Sequence, residues 1–412
     1  MSSIQELASN DIPVAFQGPG EDWPIIAVMG VTGAGKSTFI SELVNNKNVI
    51  IGHTLKSETK LTASYCLDHE IHGRIELLDT PGFDDTFFAD TEVLREIAAR
   101  MSKMYEDGKK LAGIIYLHRI SDNRMTGSAL RNLRMFKELC GENAYRHVVL
   151  ATSMWSKEDF GVAKRREHEL IGDGGFWAEM ATRGSPVRRW NSRNSALEII
   201  DLLMSEKREH GPATLQIQRE LVDEQKHLER TAAGQEVDRE LNKLRDRFEK
   251  KLQSLRDENR VAMDEQDLEW LKALHEQKKE IEKQQRLIED GQKAMQVTVA
   301  QLHEENREKY SREISRLKDE LERVKLATET KEAEIEANTN KYERLLKELG
   351  GKTESVQNDE DQKELRDTEE KKKKLLEELE KKKKEQSKLA AWLLLLGHMI
   401  VTATGIAVQI VA

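Results

Sequence analysis

The first half of the chain predicts a three-layer α/β domain with a mostly parallel sheet, and the second half predicts a long α-helical coiled coil. Three observations carry that division. Between residues 23 and 205, short apolar runs alternate with helical stretches, as strands joined by crossover helices do. One glycine-rich loop, 30-GVTGAGKS-37, stands between the first such strand and the first helix. All six prolines lie at or before Pro212, and Glu, Lys, Gln, Arg and Leu dominate the sequence that follows.

Residues 1–22 predict a loose arm. They lack a basic stretch followed by an apolar core, so no secretory signal is expected. The globular domain is expected over 23–210. Its first strand is Ile25–Met29, and the glycine loop leads into a helix at Ser37–Asn45. A strand at Arg74–Leu78 ends on Asp79. Leu111–Leu117, His147–Ala151 and Pro186–Trp190 are further strands, with helices at Thr91–Tyr105, Ser128–Leu139 and Ser195–Ser205.

The coiled coil is expected over 214–387. Leu241, Leu244, Phe248, Leu252 and Leu255 recur three or four apart, and so do Ile314, Leu317, Leu321 and Val324, with charge on the other faces. Gly234, Gly291 and Gly350-Gly351 read as interruptions of this seam, and 351–360 as a break or hinge; a folded-back hairpin would halve the span, and a solvated single helix or charged disorder is the alternative. Residues 389–412 contain no formal charge and follow a lysine-rich stretch, Lys381–Lys384 and Lys388. That pattern predicts a tail anchor on the cytoplasmic side of an intracellular membrane. His398 and Gln409 argue for the alternative, an apolar helix packed on protein.

A net charge of −9, with 34% of residues charged, shows no basic dominance, so nucleic acid is not an expected partner. Cys66 and Cys140 have neither metal-ligand spacing nor a disulfide framework, and read as reduced thiols.

The sequence Gly30-Val31-Thr32-Gly33-Ala34-Gly35-Lys36-Ser37 fits G-x-x-x-x-G-K-[ST] in full and lies between a strand and a helix, as a P-loop must. Its glycines let successive N–H groups turn inward onto phosphate oxygens, and the helix that includes Thr38 presents its positive end. Lys36 is expected to reach the β- and γ-phosphates, and Ser37 to coordinate Mg²⁺. Asp79-Thr80-Pro81-Gly82 follows a strand about fifty residues later. Asp79 is expected to hold Mg²⁺ through water, and Gly82 to offer its N–H to the γ-phosphate. A threonine should close on the metal as a switch. Thr54, Thr59 and Thr62 are candidates, and Thr59 is the preferred one. Ras-like enzymes place a water-orienting Gln where this chain has Phe83, so hydrolysis is expected to be slow unless a second subunit supplies a group.

GVTGAGKS, SETK and DTPGFDD resemble the septin-like, immunity-associated (paraseptin) branch of the TRAFAC-class GTPases, most closely fungal G domain-containing proteins that carry a coiled coil. The resemblance covers about 23–205, with a weaker echo at 232–258. It implies a GTP/GDP ligand and a homodimer through the G domain and coiled coil. In that branch the guanine-reading motif after the strand at 147–151 often starts with Thr, and an Asn after the last strand helps to read the base. Thr152 and Asn191 match those two positions, whereas Trp155 stands where an Asp normally accepts from guanine. Guanine remains the expected base, with adenine open. Trp155 could stack on the purine or pack in the core, and Asp159 could act as a surrogate acceptor or as a helix N-terminal charge. The expected function is a GTP switch with slow, dimer-stimulated hydrolysis. The alternative is a non-catalytic nucleotide-binding tether.

Overall fold

The computed structural model describes residues 23–44, 62–83, 87–109, 111–264 and 268–316, with scattered positions up to 381. Six strands form one sheet in the order β2-β3-β1-β4-β5-β6. They are β1 (Ile25–Gly30), β2 (Ala63–His69), β3 (Gly73–Asp79), β4 (Leu111–Arg119), β5 (Val148–Ser153) and β6 (Val187–Arg189). Every neighbouring pair is parallel except β2 with β3, which is antiparallel. β1, buried along its whole length, lies at the centre, where apolar runs covered on both faces belong.

Helices cover both faces. On one side α1 (Lys36–Val44) and α6 (Arg193–His210) pack Phe39, Ile40, Ile199 and Leu203 onto Val28, Ile115 and Val149. On the other, α2 (Phe87–Glu106) and α3 (Gly127–Cys140) enclose Met29, Ile114 and Leu150 with Leu94, Ile97 and Phe136. α4 (Phe160–Ile171) and the short α5 (Ala178–Thr182) add Ala163, Leu170 and Met180 to that second core. The expected strands and helices are present. β2 was not expected; it is an edge strand whose mostly half-buried residues carry little apolar signal.

The chain divides into two compact units, one running to Glu308 and one beginning at Lys309. The first therefore takes in ground that the sequence pattern grouped with a coiled coil. Leu215, Ile217, Leu221 and Leu228 are buried in the α2–α3 core, and the Gln218 side chain donates to the Met101 carbonyl at 3.0 Å. α7 (Ala232–Asp264) and α8 (Leu268–Met295) then fold back as a hairpin. Its base joins the same core through Leu241, Ile288 and Met295. Its outer part has a small core of its own, Leu255, Ala262, Leu274 and Ile281, with Phe248 and Leu252 against it.

Two glycines that read as breaks lie within packed helix, and Gly234 is a place of close approach. A Cβ on Gly234 would meet the Leu228 carbonyl oxygen at 1.9 Å, and the Gly234 N–H is capped by the Thr231 hydroxyl at 3.0 Å. Gly291 faces Thr91 of α2, whose hydroxyl is 3.5 Å from where a Cβ would sit. In the second unit residues 309–316 are helical, and the expected seam positions Leu317, Leu321 and Val324 lie outside the described residues. So does the apolar stretch 389–412; among the described residues no helix is long and apolar enough to cross a membrane.

Candidate functional site

β1 and β3 end side by side, and this brings the two phosphate motifs together. After Gly30 the chain turns through Gly33 (φ 77°) and Gly35 (φ 95°), a left-handed backbone that glycine adopts without strain. Gly30 could not be replaced: a Cβ there would lie 2.3 Å from the Leu117 carbonyl oxygen. Val31 bridges to Phe83, and the Thr32 N–H donates to the Phe83 carbonyl at 2.9 Å, fastening the loop to the DTPG segment. Ala34 is buried. α1 begins at Lys36, so the N–H groups of Lys36, Ser37 and Thr38 belong to its first turn and lack intrahelical acceptors.

Lys36 Nζ donates to the loop's own carbonyls, Gly30 at 3.1 Å and Val31 at 3.2 Å. Burial lowers its pKa to about 8; the nearby Asp79 carboxylate opposes this and Arg119 adds to it. Ser37 Oγ donates to Asp79 Oδ2 at 2.6 Å. Burial raises the Asp79 pKa, while the Ser37 hydrogen bond and Lys36 hold it down. The other carboxylate oxygen, Oδ1, is buried with no partner among the described residues, and neither has the Thr32 hydroxyl. A half-buried hydroxyl beside a buried carboxylate with a spare acceptor oxygen is a donor set that suits Mg²⁺, a hard cation. Gly82 closes the cradle: a Cβ would lie 2.7 Å from both Lys36 Nζ and Thr32 Oγ1. Thr54 and the preferred switch residue, Thr59, lie outside the described residues. Thr62 is buried, and its N–H donates to Glu96 Oε1 at 3.1 Å. Phe83 is buried in the core, so its side chain adds no polar group to the phosphate end.

The base end is built differently. Alternation along β5 sends Thr152 and Ser153 to opposite faces. Thr152 turns toward the Arg188 carbonyl at 3.4 Å and accepts from the Trp155 indole at 3.0 Å. Ser153, on the α1 side, donates to the Ala34 carbonyl at 2.8 Å and so holds the P-loop. Trp155 has the Arg189 guanidinium 4.3 Å over its ring and Phe160 beside it, and it packs against the core. Asp159 caps α4, accepting from Val162 N–H at 3.1 Å. Asn191 is exposed just past β6, and its backbone N–H donates to Ser195 Oγ at 3.1 Å.

Three residues here were not anticipated. Trp190 places its ring edge 3.1 Å from a Cβ at Gly35, stacks edge-on to Phe39 and donates to Glu42 at 3.0 Å. Met154, left-handed at φ 63°, has its terminal methyl within 4.0 Å of the same point. Arg119, at the end of β4, brings a guanidinium nitrogen to 3.0 Å from a Cβ at Gly33 while its Nε pairs with Asp122.

Residues 25–150 match the family described as 50S ribosome-binding GTPase. These residues form the core of a P-loop GTPase G domain. Over 67 residues the chain is 37% identical to the probable GTP-binding protein EngB of Lactococcus lactis subsp. cremoris (strain SK11), and equally to that of L. lactis subsp. lactis (strain IL1403). That stretch is 16% of this chain and 32% of each relative, so the chain spans about a third of the length of the curated relatives it matches. Among solved structures, Toc33 of Arabidopsis thaliana with Mg²⁺ and GMPPNP is similar at 13% identity and TM-score 0.37, over 45% of this chain and 86% of that one. Era Y63A of Aquifex aeolicus bound to GDP·AlF₄⁻ is similar at 13% identity and TM-score 0.33, over 44% and 56%.

Proposed function

We propose that this chain is a Mg²⁺-dependent GTP-binding switch of the septin-like, immunity-associated branch, with slow hydrolysis that accelerates when two G domains meet. The observation that carries the reading is the convergence of Lys36, Ser37, Asp79 and Gly82 on one buried cradle. The P-loop N–H groups and the α1 N-terminus bind the phosphates, and Lys36 exchanges its bonds to the Gly30 and Val31 carbonyls for bonds to phosphate oxygens. Ser37 and Asp79 would hold Mg²⁺, which when bound neutralises charge across the β- and γ-phosphates. Gly82, packed close against Lys36 and Thr32, would offer its N–H to the γ-phosphate. Phe83 leaves the attacking water without an orienting amide, which is why a group from a second subunit is proposed.

The state of the Asp79–Phe83 loop would pass to α2, which follows it. α2 bears the helical hairpin and the stretch after it: Arg95 donates to the Ala294 carbonyl at the end of α8, and beyond the hairpin Arg95 pairs with Glu305 and Ser102 bonds His303 Nε2 at 2.8 Å. Beyond Lys309 the proposal keeps a coiled coil, ending in a tail that meets a membrane.

Full-length protein, titrated with fluorescent GTP, GDP and ATP analogues and followed for phosphate release at rising protein concentration, tests this. Guanine preference with turnover per molecule that climbs with concentration is the expected result. Equal binding of ATP, or binding without turnover at any concentration, overturns it in favour of a non-catalytic tether. Cutting the chain at 210 would strip Leu215, Ile217 and Leu221 from the α2–α3 core, so the assay needs residues through Glu308 at least.

A further inference from the structure

At the far end of β3 from Asp79, the β2–β3 turn holds His69 and His72, and α6 places Asp201 against both. His72 Nε2 lies 2.8 Å from Asp201 Oδ1, and His69 Nε2 lies 3.4 Å from the same oxygen. One nitrogen of each ring and one carboxylate oxygen fall within 4.8 Å of one another. The two imidazole side chains are 6% and 7% exposed, and the rings lie 4.8 Å apart. Asp201 is 43% exposed and keeps the cluster open to solvent.

We propose that His69, His72 and Asp201 form a site for a divalent transition metal, with zinc the best chemical fit, separate from the nucleotide cleft. Two imidazole nitrogens and one carboxylate are a borderline donor set that selects against Mg²⁺ and Ca²⁺. Tetrahedral zinc with bonds of about 2.0–2.1 Å sets its ligand atoms about 3.3 Å apart. The His69–Asp201 separation already matches that edge, and the His72–Asp201 pair must open by about half an ångström. The exposed side of Asp201 leaves a fourth position for water.

Hydrogen bonds within the turn oppose loading. His69 Nδ1 accepts long hydrogen bonds from the Ile71 and His72 N–H groups at 3.3 and 3.4 Å, which puts the ring proton on Nε2. Coordination through Nε2 moves that proton to Nδ1, and both contacts are lost. The turn, closed by Gly73 at φ 69° and capped by the exposed Ile71, is where the structure gives way. Loading would fasten β3, whose other end carries Asp79, to α6, whose Arg193 holds the last carbonyls of α1.

Full-length, chelator-stripped, nucleotide-free protein titrated with Co²⁺ gives the test. The expected result is an intense visible spectrum of four-coordinate cobalt that saturates at one equivalent, is displaced by Zn²⁺ and is untouched by Mg²⁺. His72→Ala and Asp201→Asn should weaken it by at least about 100-fold, and His303→Gln should leave it unchanged. Zinc should raise the melting temperature of the parent protein and not that of His72→Ala. If a variant fails to fold, hydrogen exchange on the parent protein decides: added Zn²⁺ should change rates in the β2–β3 turn and the middle of α6. No saturable cobalt spectrum, a spectrum that survives both substitutions, or exchange changes confined elsewhere overturns the site.

Discussion

The phosphate end and the base end of the nucleotide cleft are assembled from neighbouring strand ends, yet they differ in how much their chemistry depends on residue identity. At the phosphate end each group has a role that few other residues could fill. Gly30 and Gly82 leave no room for a Cβ, Ser37 meets Asp79 at 2.6 Å, and Lys36 lies over its own loop. At the base end the usual carboxylate is missing, and the strand terminus is fixed by Ser153, Trp155 and Arg189 through packing and local hydrogen bonds. Phosphates are bound by backbone geometry and point charges, which tolerate little change. A base is read by a few side chains that can be redistributed over neighbouring loops.

The largest test of that contrast is Lys36→Ala. It removes a charge-assisted contact to two phosphates and should weaken nucleotide binding about 100-fold or more in a fluorescence titration. Gly82→Ala should separate the ligands: its Cβ intrudes on Lys36 and Thr32, so a GTP analogue should lose far more affinity than GDP. Equal losses would show that Gly82 does not face the γ-phosphate.

Proton linkage comes next. Lys36 titrates at about 8 in the folded, nucleotide-free protein, against an ordinary lysine value of 10.5 for the unfolded chain. Between those values the unfolded state binds more protons, so this group makes stability rise with pH across that window. Binding needs the ammonium form, so above pH 8 Lys36 takes up a proton as nucleotide binds. Affinity should fall about tenfold by one unit above that pKa. An affinity constant from pH 7 to 9 would mean that Lys36 does not carry its charge to the phosphates.

At the base end the effects should be smaller and should divide between adjacent residues. Ser153→Ala removes a buried bond to the P-loop and should lower stability by about 1–2 kcal/mol in a denaturant melt. Thr152→Val should cost less, since its hydroxyl makes only a 3.4 Å contact to Arg188 and accepts from Trp155. If Thr152 reads the base, the order reverses in guanine affinity. The smallest expected effect lies at the hairpin's root. Lys243 donates to Glu240 at 2.8 Å from an exposed position, and Glu240 keeps Arg134 as a partner, so Lys243→Ala should cost no more than about 1 kcal/mol.

The central sheet was legible because β1, β4 and β5 are covered on both faces and their apolar runs cannot be disguised. β2 was not, since an edge strand with one half-exposed face carries a mixed pattern. The P-loop and DTPG could be read residue by residue, because backbone geometry restricts which residues fit there. The bond from Ser153 to the P-loop was also not anticipated, although counting faces from Val149 and Ala151, which pack with α1, puts Ser153 on the P-loop side. Arg119 and Trp190 act through tertiary approach to Gly33 and Gly35, which no local pattern records. The heptad-like spacing in 241–255 did mark a helix with an apolar stripe. Spacing cannot say whether the stripe meets another chain or, as here, α8 and the G domain.

The rooting of the hairpin on α2 has a mechanical consequence. With 33 residues, α7 extends about 50 Å from its first turn. A tilt of α2 and α3 together on the order of 10°, carried rigidly into that hairpin, would sweep the outer tip through about 9 Å, while atoms beside the cleft would move by a small fraction of that. The small core around Leu255 and Leu274 stiffens the outer part of this lever against bending, so that displacement at the cleft would arrive at the tip as travel instead of being absorbed along the way.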